Sequence, residues 1–288
     1  MQAILILAHT GFEQVYELSA LLAGKFEIFI HYDLNTPLSS QQWNRLRTVA
    51  HVHCYQKYKV MWAGWSVVAA ARFLMEKALE YPEITYVHFI SGQDWPAADP
   101  QQIYNFYENN NEIYMLYKPA ANMVKSGQKC LNWQKFYFVF KKVNRKSIPG
   151  RIWHRCLYYL QLFLRIDKLK RYGVTLEIFT GQFWSDIPRD AAQYALAYLD
   201  SHEELQKVFK TGFCTDEFWL QTILCNSVYR KDIVQNIHRY IVWEKRNESY
   251  PAVLDLSDYK KIAEGDFHFV RKVVLPVSNE LIKKLTSF

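Results

Sequence analysis

Apolar and polar positions switch between two periods over the first third of the chain. Ile4 to Ala8 is a short apolar run. Helical spacing follows over 14–23 (Val15, Leu18, Leu21, Leu22), then a second apolar run from Glu27 to His31. Short apolar runs read as buried strands, and positions three and four apart mark one face of a helix. The strongest helix is predicted over 65–81, apolar at Val67, Val68, Ala71, Leu74, Met75, Ala78 and Leu79; Tyr86 to Ile90 forms the next strand. Strands alternating with helices imply βαβ units and a largely parallel sheet.

The last third continues with a strand-like Thr175 to Phe179, then Thr180-Gly181-Gln182-Phe183-Trp184-Ser185. A helix is predicted over 189–201, another opens at Thr215-Asp216-Glu217-Phe218-Trp219, and Tyr240 to Trp243 reads as a strand. There is no internal repeat and no Gly-rich phosphate loop of either common pattern. In open parallel sheets ligands sit beyond the carboxyl ends of strands. Those positions hold His9, Asp33 and Ser91 to Trp95. Asp33 and Asp94 are equally the residue type that caps turns.

Composition narrows the partners. Half the residues are hydrophobic and 47 of 288 are aromatic, so the chain buries a sizeable core and is not disordered. Tyr and Trp in such numbers stack on sugars or bases, or line membrane interfaces. The net charge of +7 is local: residues 141–171 hold ten Lys and Arg against Asp167, giving +9 and leaving −2 elsewhere. Within that span the aromatic-rich segment 151–166 fits either interfacial binding to anionic lipid or a solvated basic helix packed on the domain. No stretch is apolar and long enough to span a bilayer, and the N-terminus lacks the basic region of a signal peptide. Five scattered cysteines without a C-x-x-C pair point to free thiols in a reducing compartment. The cluster His51-Val52-His53-Cys54 lacks a partner pair and reads as an ordinary strand, with no metal site expected.

Glu217 is the acid of most chemical interest. It is either a helix-dipole partner in a first turn, or a carboxylate partly desolvated by Phe213, Phe218 and Trp219 and suited to act as general base. No Asp-x-Asp pair exists to hold a divalent metal on a diphosphate. Lys or Arg would then have to neutralise such a group, and Phe269-Val270-Arg271-Lys272 offers two.

Six segments together resemble one family. Ile6-Leu7-Ala8-His9 with Ile28-Phe29-Ile30-His31-Tyr32-Asp33, then Trp62-Ala63-Gly64-Trp65, are similar to the opening of core-2/I-branching β-1,6-N-acetylglucosaminyltransferases and the related protein xylosyltransferases. Phe89-Ile90-Ser91-Gly92-Gln93-Asp94-Trp95-Pro96 is the most specific match. Gly181-Gln182-Phe183-Trp184, Thr215-Asp216-Glu217-Phe218-Trp219 and Phe269-Val270-Arg271-Lys272 follow in the right order, leaving about 110–172 unmatched.

The resemblance implies an α/β, GT-A-like (Rossmann-like) fold with a central, mostly parallel sheet flanked by helices. It spans 1–288 as one domain, with a basic aromatic insertion or mobile segment at about 111–172. It implies an inverting, metal-independent transfer from a UDP-sugar, GlcNAc by default, to a hydroxyl of a glycan or lipid-linked acceptor in surface polysaccharide or lipooligosaccharide synthesis. Xylose and hexose donors stay open, as does a non-catalytic carbohydrate- or nucleic-acid-binding domain. Glu217 would be the base, with His9, Asp33 and Trp62 at the uridine end. Lys272, with Arg271, would lie on the diphosphate. Ser91, Gln93, Asp94, Trp95 and Trp243 would border sugar and acceptor. A second diphosphate arginine has no clean counterpart; spacing points near Ser249, with Arg246 or Arg271 as substitutes. The expected setting is cytoplasmic, at the inner membrane face, with no cofactor and no nucleic-acid partner.

Overall fold

The computed structural model describes residues 1–138 and 147–287. The sequence expectations at Lys141, Lys142, Arg145 and Lys146 lie outside these. The strands are β1 (Gln2–Ala8), β2 (Glu27–Tyr32), β3 (Val52–Tyr55), β4 (Tyr86–Ser91), β5 (Asp94–Pro96), β6 (Ile113–Pro119), β7 (Val124–Lys125), β8 (Gln128–Lys129), β9 (Phe179–Pro188), β10 (Ile233–Val234), β11 (Arg239–Ile241) and β12 (Phe269–Arg271). The helices of at least four residues in the first two thirds are α1 (Phe12–Leu22), α2 (Ser40–Arg47), α3 (Trp65–Leu79), α4 (Pro100–Tyr107), α5 (Cys130–Lys135), α6 (Ile148–Phe163) and α7 (Lys168–Arg171). They are followed by α8 (Arg189–Ser201), α9 (Glu203–Lys210) and α10 (Trp219–Cys225).

Seven strands form the main sheet in the order β10-β6-β9-β4-β1-β2-β3, and every neighbouring pair is parallel except the two that β9 makes. β1, β2 and β4 are nearly wholly buried, as their continuous apolar runs require of strands covered on both faces. This is the α/β architecture expected, with a central, mostly parallel sheet: a parallel βαβ half, joined through β9 to a second half, with helices on both faces. β1 lies between β2 and β4, so the connections diverge there and open a crevice at the carboxyl ends.

One expectation shifts. The strand read over 175–179 begins instead at Phe179 and runs on through Thr180 to Ser185 as β9, whose Gly181 lies against β6; a Cβ there would meet the Leu116 carbonyl oxygen at 1.8 Å. Within residues 111–172, β6 sits inside the main sheet, and Cys130, Trp133 and Phe136 join the core.

A small sheet, β11-β12-β5, extends the crevice. It is joined to the main sheet by buried Asp186 of β9, whose carboxylate accepts from both Arg239 terminal nitrogens and from the Tyr107 hydroxyl at 2.9 Å. Burial alone would raise the Asp186 pKa, but the Arg239 charge and the hydrogen bonds from His88 and Arg239 together outweigh it and hold the carboxyl well below its usual range.

Candidate active site

The crevice is assembled from strand ends. The Asp33 N–H donates to the Ala8 carbonyl at 2.8 Å, and the Gly92 N–H donates to Leu7 at 3.0 Å, so the segments after β2 and β4 flank β1. His9, next in the chain, is exposed. Gly92 is required by packing: a Cβ would lie 2.7 Å from Val15 Cγ2 of α1 and 3.2 Å from Ala8 Cβ.

Asp33 is buried and organises backbone. Its Oδ1 accepts from the Asn35 and Val60 N–H groups, both at 2.9 Å. His31 Nε2 accepts from the Tyr58 N–H at 3.0 Å. Burial pulls the His31 imidazole down to about 4 despite the nearby Asp33 charge, so the ring is a neutral acceptor. These bonds present the segment that leads to Trp62, which is 58% exposed and meets Phe213 edge-on at 6.1 Å.

The next residue, Ala63, crosses to the acidic turn. Its carbonyl accepts from the Cys214 N–H at 2.8 Å, immediately before the 3-10 turn Thr215–Glu217. Glu217 is partly exposed at this turn, while Phe213, Phe218 and Trp219, named beside it in the sequence, are buried in the core. Its Oε2 accepts instead from Lys125 Nζ at 2.7 Å. Burial pulls the Lys125 ammonium down, but the Glu217 charge and hydrogen bond outweigh that and hold it above its ordinary value. The carboxyl that burial does raise is that of Asp216, to about 7, with the Glu217 charge adding to the effect. Asp216 Oδ1 is buried without a hydrogen-bond partner.

Lys125 escaped the sequence reading. It ends one arm of the hairpin β7–β8, whose Ser126-Gly127 turn has both residues left-handed (φ 51 and 73). That dipeptide between short polar arms was the available signal.

On the other wall, Lys272 and Ser249 come together, with Lys272 Nζ 3.4 Å from Ser249 Oγ. Ser249 is bridged to Arg246, which donates to Asp258 at 2.6 Å. Val273 N–H donates to the Gln93 carbonyl, so Lys272 adjoins the turn after β4. Trp243, 49% exposed, lies 6.0 Å from the Tyr250 ring.

Three predicted contacts become supports. Asp94 is fully buried: one oxygen accepts from the Ser91 N–H at 2.6 Å and from Trp184 Nε1 at 3.0 Å, the other from Arg271 at 2.8 Å. Arg271 also donates to Ser91 Oγ and lies 4.5 Å over the Trp184 ring, so its charge is committed to the turn. Trp95 is 2% exposed in the second core, its Nε1 facing Thr286 Oγ1 at 3.3 Å, because β5 pairs with β12 and turns the ring inward. Ser91 and Gln93 remain at the crevice.

Among the described residues, the side chains grouped closely enough to hold a metal ion are His238, Asp266 and His268. They precede β11 and β12, at the opposite end of these strands from Trp243 and Lys272. His51 and His53 both bond to Glu27, at 2.9 and 2.5 Å.

Fold and crevice define an α/β protein built on a mostly parallel sheet, with an acid–ammonium pair at one wall and a lysine at the other. The model of the core-2/I-branching enzyme family matches residues 12–268, and the chain belongs to that family. The xylosyltransferase sqv-6 of Caenorhabditis briggsae is 21% identical over 223 residues, 76% of this chain and 25% of that protein. The β-glucuronosyltransferase GlcAT14A of Arabidopsis thaliana is 23% identical over 109 residues, 37% of this chain and 24% of that protein. The chain thus spans about a quarter of the length of these curated relatives. Among solved structures, the apo WbbM bifunctional glycosyltransferase aligns over 99% of this chain and 50% of its own, at 11% identity and a TM-score of 0.43. Staphylococcus aureus TarS 1–349 in complex with UDP-GlcNAc aligns over 44% and 37%, at 16% identity and 0.30. Neither score is high enough to transfer a site.

Proposed function

We propose that the chain is an inverting, metal-independent glycosyltransferase. It moves a sugar from a UDP-sugar to a hydroxyl of a glycan acceptor in surface polysaccharide or lipooligosaccharide synthesis. The observation that carries this reading is the single crevice wall linking Asp33, Trp62 and Glu217 through the Asp33–Val60 and Ala63–Cys214 bonds. One end of that wall suits a uracil and ribose, through Asp33 and the exposed Trp62 ring with His9 nearby. The other end holds a carboxylate.

Glu217 takes the proton of the acceptor hydroxyl as the oxygen attacks the anomeric carbon. The bond from that carbon to the UDP oxygen breaks with inversion, and UDP leaves with both bonding electrons. Lys272, with Arg246 beside Ser249, stabilises the charge that develops on the diphosphate. Trp243 and Tyr250 supply an aromatic rim for the acceptor, with Ser91 and Gln93 at the sugar. Family membership and the relative named a xylosyltransferase support sugar transfer; GlcNAc is the default donor, and xylose stands beside it.

Transfer or hydrolysis assayed across a panel of UDP-sugars tests the reading. One donor should turn over undiminished in EDTA, and Glu217→Gln should lose roughly 10²–10⁴-fold in kcat. Full activity in that variant, or an absolute metal requirement, overturns it.

A further inference from the structure

Helix α6 is built inside out. Its buried stripe is Gly150, His154, Tyr158 and Gln161, spaced as one helical face, and all three of its side chains carry polar groups. Each is satisfied or stacked. Gln161 Oε1 accepts from the Tyr137 N–H at 2.7 Å, the Tyr158 hydroxyl accepts from Asn132 at 2.9 Å, and the His154 ring stacks on Phe138. The opposite face is apolar and open to solvent: Ile148, Ile152, Trp153, Tyr159, Leu160 and Phe163 are between 53 and 80% exposed. A soluble helix puts its apolar face on the core; this one turns it away.

Charge selects what covers it. Arg151, Arg155, Arg165, Lys170 and Arg171 are exposed on and just beyond the helix. The acid of this segment, Asp167, is paired with Lys135 at 2.9 Å. A second copy docked about a twofold axis would set these cations against themselves. An anionic lipid surface meets them with opposite charge while the Trp, Tyr and Phe rings enter the headgroup boundary. No helix among the described residues is long and apolar enough to cross a membrane.

We infer that α6 is an interfacial docking face that lays this chain on an anionic bilayer. The inference does not depend on sugar transfer. It does bear on the crevice, because His154 contacts Phe213 at a 5.0 Å centroid distance, and Phe213 in turn meets Trp62. The docked face therefore lies two side chains behind the crevice wall.

Co-sedimentation of the full chain with phosphatidylcholine vesicles, with and without phosphatidylglycerol, tests this. Binding is expected to the anionic vesicles and to fall with added salt. In Ile152→Glu/Phe163→Glu it should be lost while the melting curve is unchanged, since both side chains are exposed. Arg151→Gln/Arg155→Gln should weaken binding by roughly tenfold or more. Absence of sedimentation with anionic vesicles, equal binding to both vesicle types, or unchanged binding in the Ile152/Phe163 variant overturns it. So does a dimer in solution that the same variant converts to monomer, because the face is then covered by a second copy.

Discussion

The Cys214 backbone N–H donates to the Ala63 carbonyl at 2.8 Å, and both residues are left-handed, with φ of 49 and 64. Neither is glycine, so each carries a backbone cost of about 1–2 kcal/mol that the surrounding contacts must offset. The bond joins the two loops on which the proposed donor and base sites sit. Ala63 is 3% exposed, and a β-branched side chain there would be both strained and crowded. Ala63→Val should lower stability by about 1–3 kcal/mol, read as a drop in Tm. Ala63→Gly should leave Tm near the parent value, because relief of strain offsets the entropy of the freer unfolded chain. Loss of activity in Ala63→Gly at unchanged Tm would show that the bond positions the loops rather than merely holding the fold.

The Lys125–Glu217 pair separates positioning from catalysis. Both side chains are about a third exposed, so the pair is worth less than about 1 kcal/mol of stability. Lys125 occupies Oε2 and leaves Oε1 to meet an acceptor hydroxyl. Lys125→Ala should therefore keep its Tm and lose roughly tenfold in kcat through misorientation of the base. Lys125→Arg should recover part of that loss with donor KM unchanged. An equal loss in the Arg and Ala variants would place Lys125 outside the reaction.

The parallel half of the fold was legible because its strands are continuous apolar runs and α1, α3 and α8 keep a clean 3.6-residue period. β9 was not, since four of its ten residues are polar and its register depends on Gly181 fitting under the Leu116 carbonyl, a contact visible only in three dimensions. The three-residue strands β5, β11 and β12 are too short to show a period, so Trp95 read as a surface ring rather than a core one. In the site, the residue types at Asp33, Glu217 and Lys272 were visible from position after strands and at a turn. Their partners were not: Lys125 and Val60 arrive from distant segments. For α6 the sequence leaves lipid binding and packing on the domain equally open, because its mixture of Arg, Trp, Tyr and Leu does not say which side points inward.

Asp216 makes stability fall as pH rises. Its carboxyl titrates at about 7 in the folded chain and near 4 when unfolded, so between these values the folded state binds the extra proton. Stability from this group is complete below about 4 and is lost as pH climbs through 7, by an amount on the order of 1–3 kcal/mol. Asp216→Asn keeps a neutral group of the same shape and should remove that slope. Urea midpoints measured at pH 5 and pH 8 check it: the parent should be relatively more stable at pH 5 than the variant is.

His31 acts with the opposite sign over an overlapping window. Its imidazole titrates at about 4 folded and near 6.5 unfolded, because burial disfavours the cation and Nε2 is occupied in accepting from the Tyr58 and Lys57 N–H groups. The unfolded state then binds more protons between those values, so stability is present above about 6.5 and is lost as pH falls toward 4. His268, pulled down to about 3 by burial and the neighbouring His238, adds to the same slope. Between pH 4 and 6.5 these two histidines therefore oppose Asp216, and the parent curve should be flatter than either effect alone. His31→Asn should expose the Asp216 slope, and Asp216→Asn the histidine slope. Protonation of His31 also sets an N–H donor against two backbone donors, which would free the segment that carries Val60 to Asp33. Titrating the histidine ring resonances by NMR reads this directly: His31 should stay neutral at pH 5, and a transition near 6.5 would show that this loop is not held by a neutral acceptor.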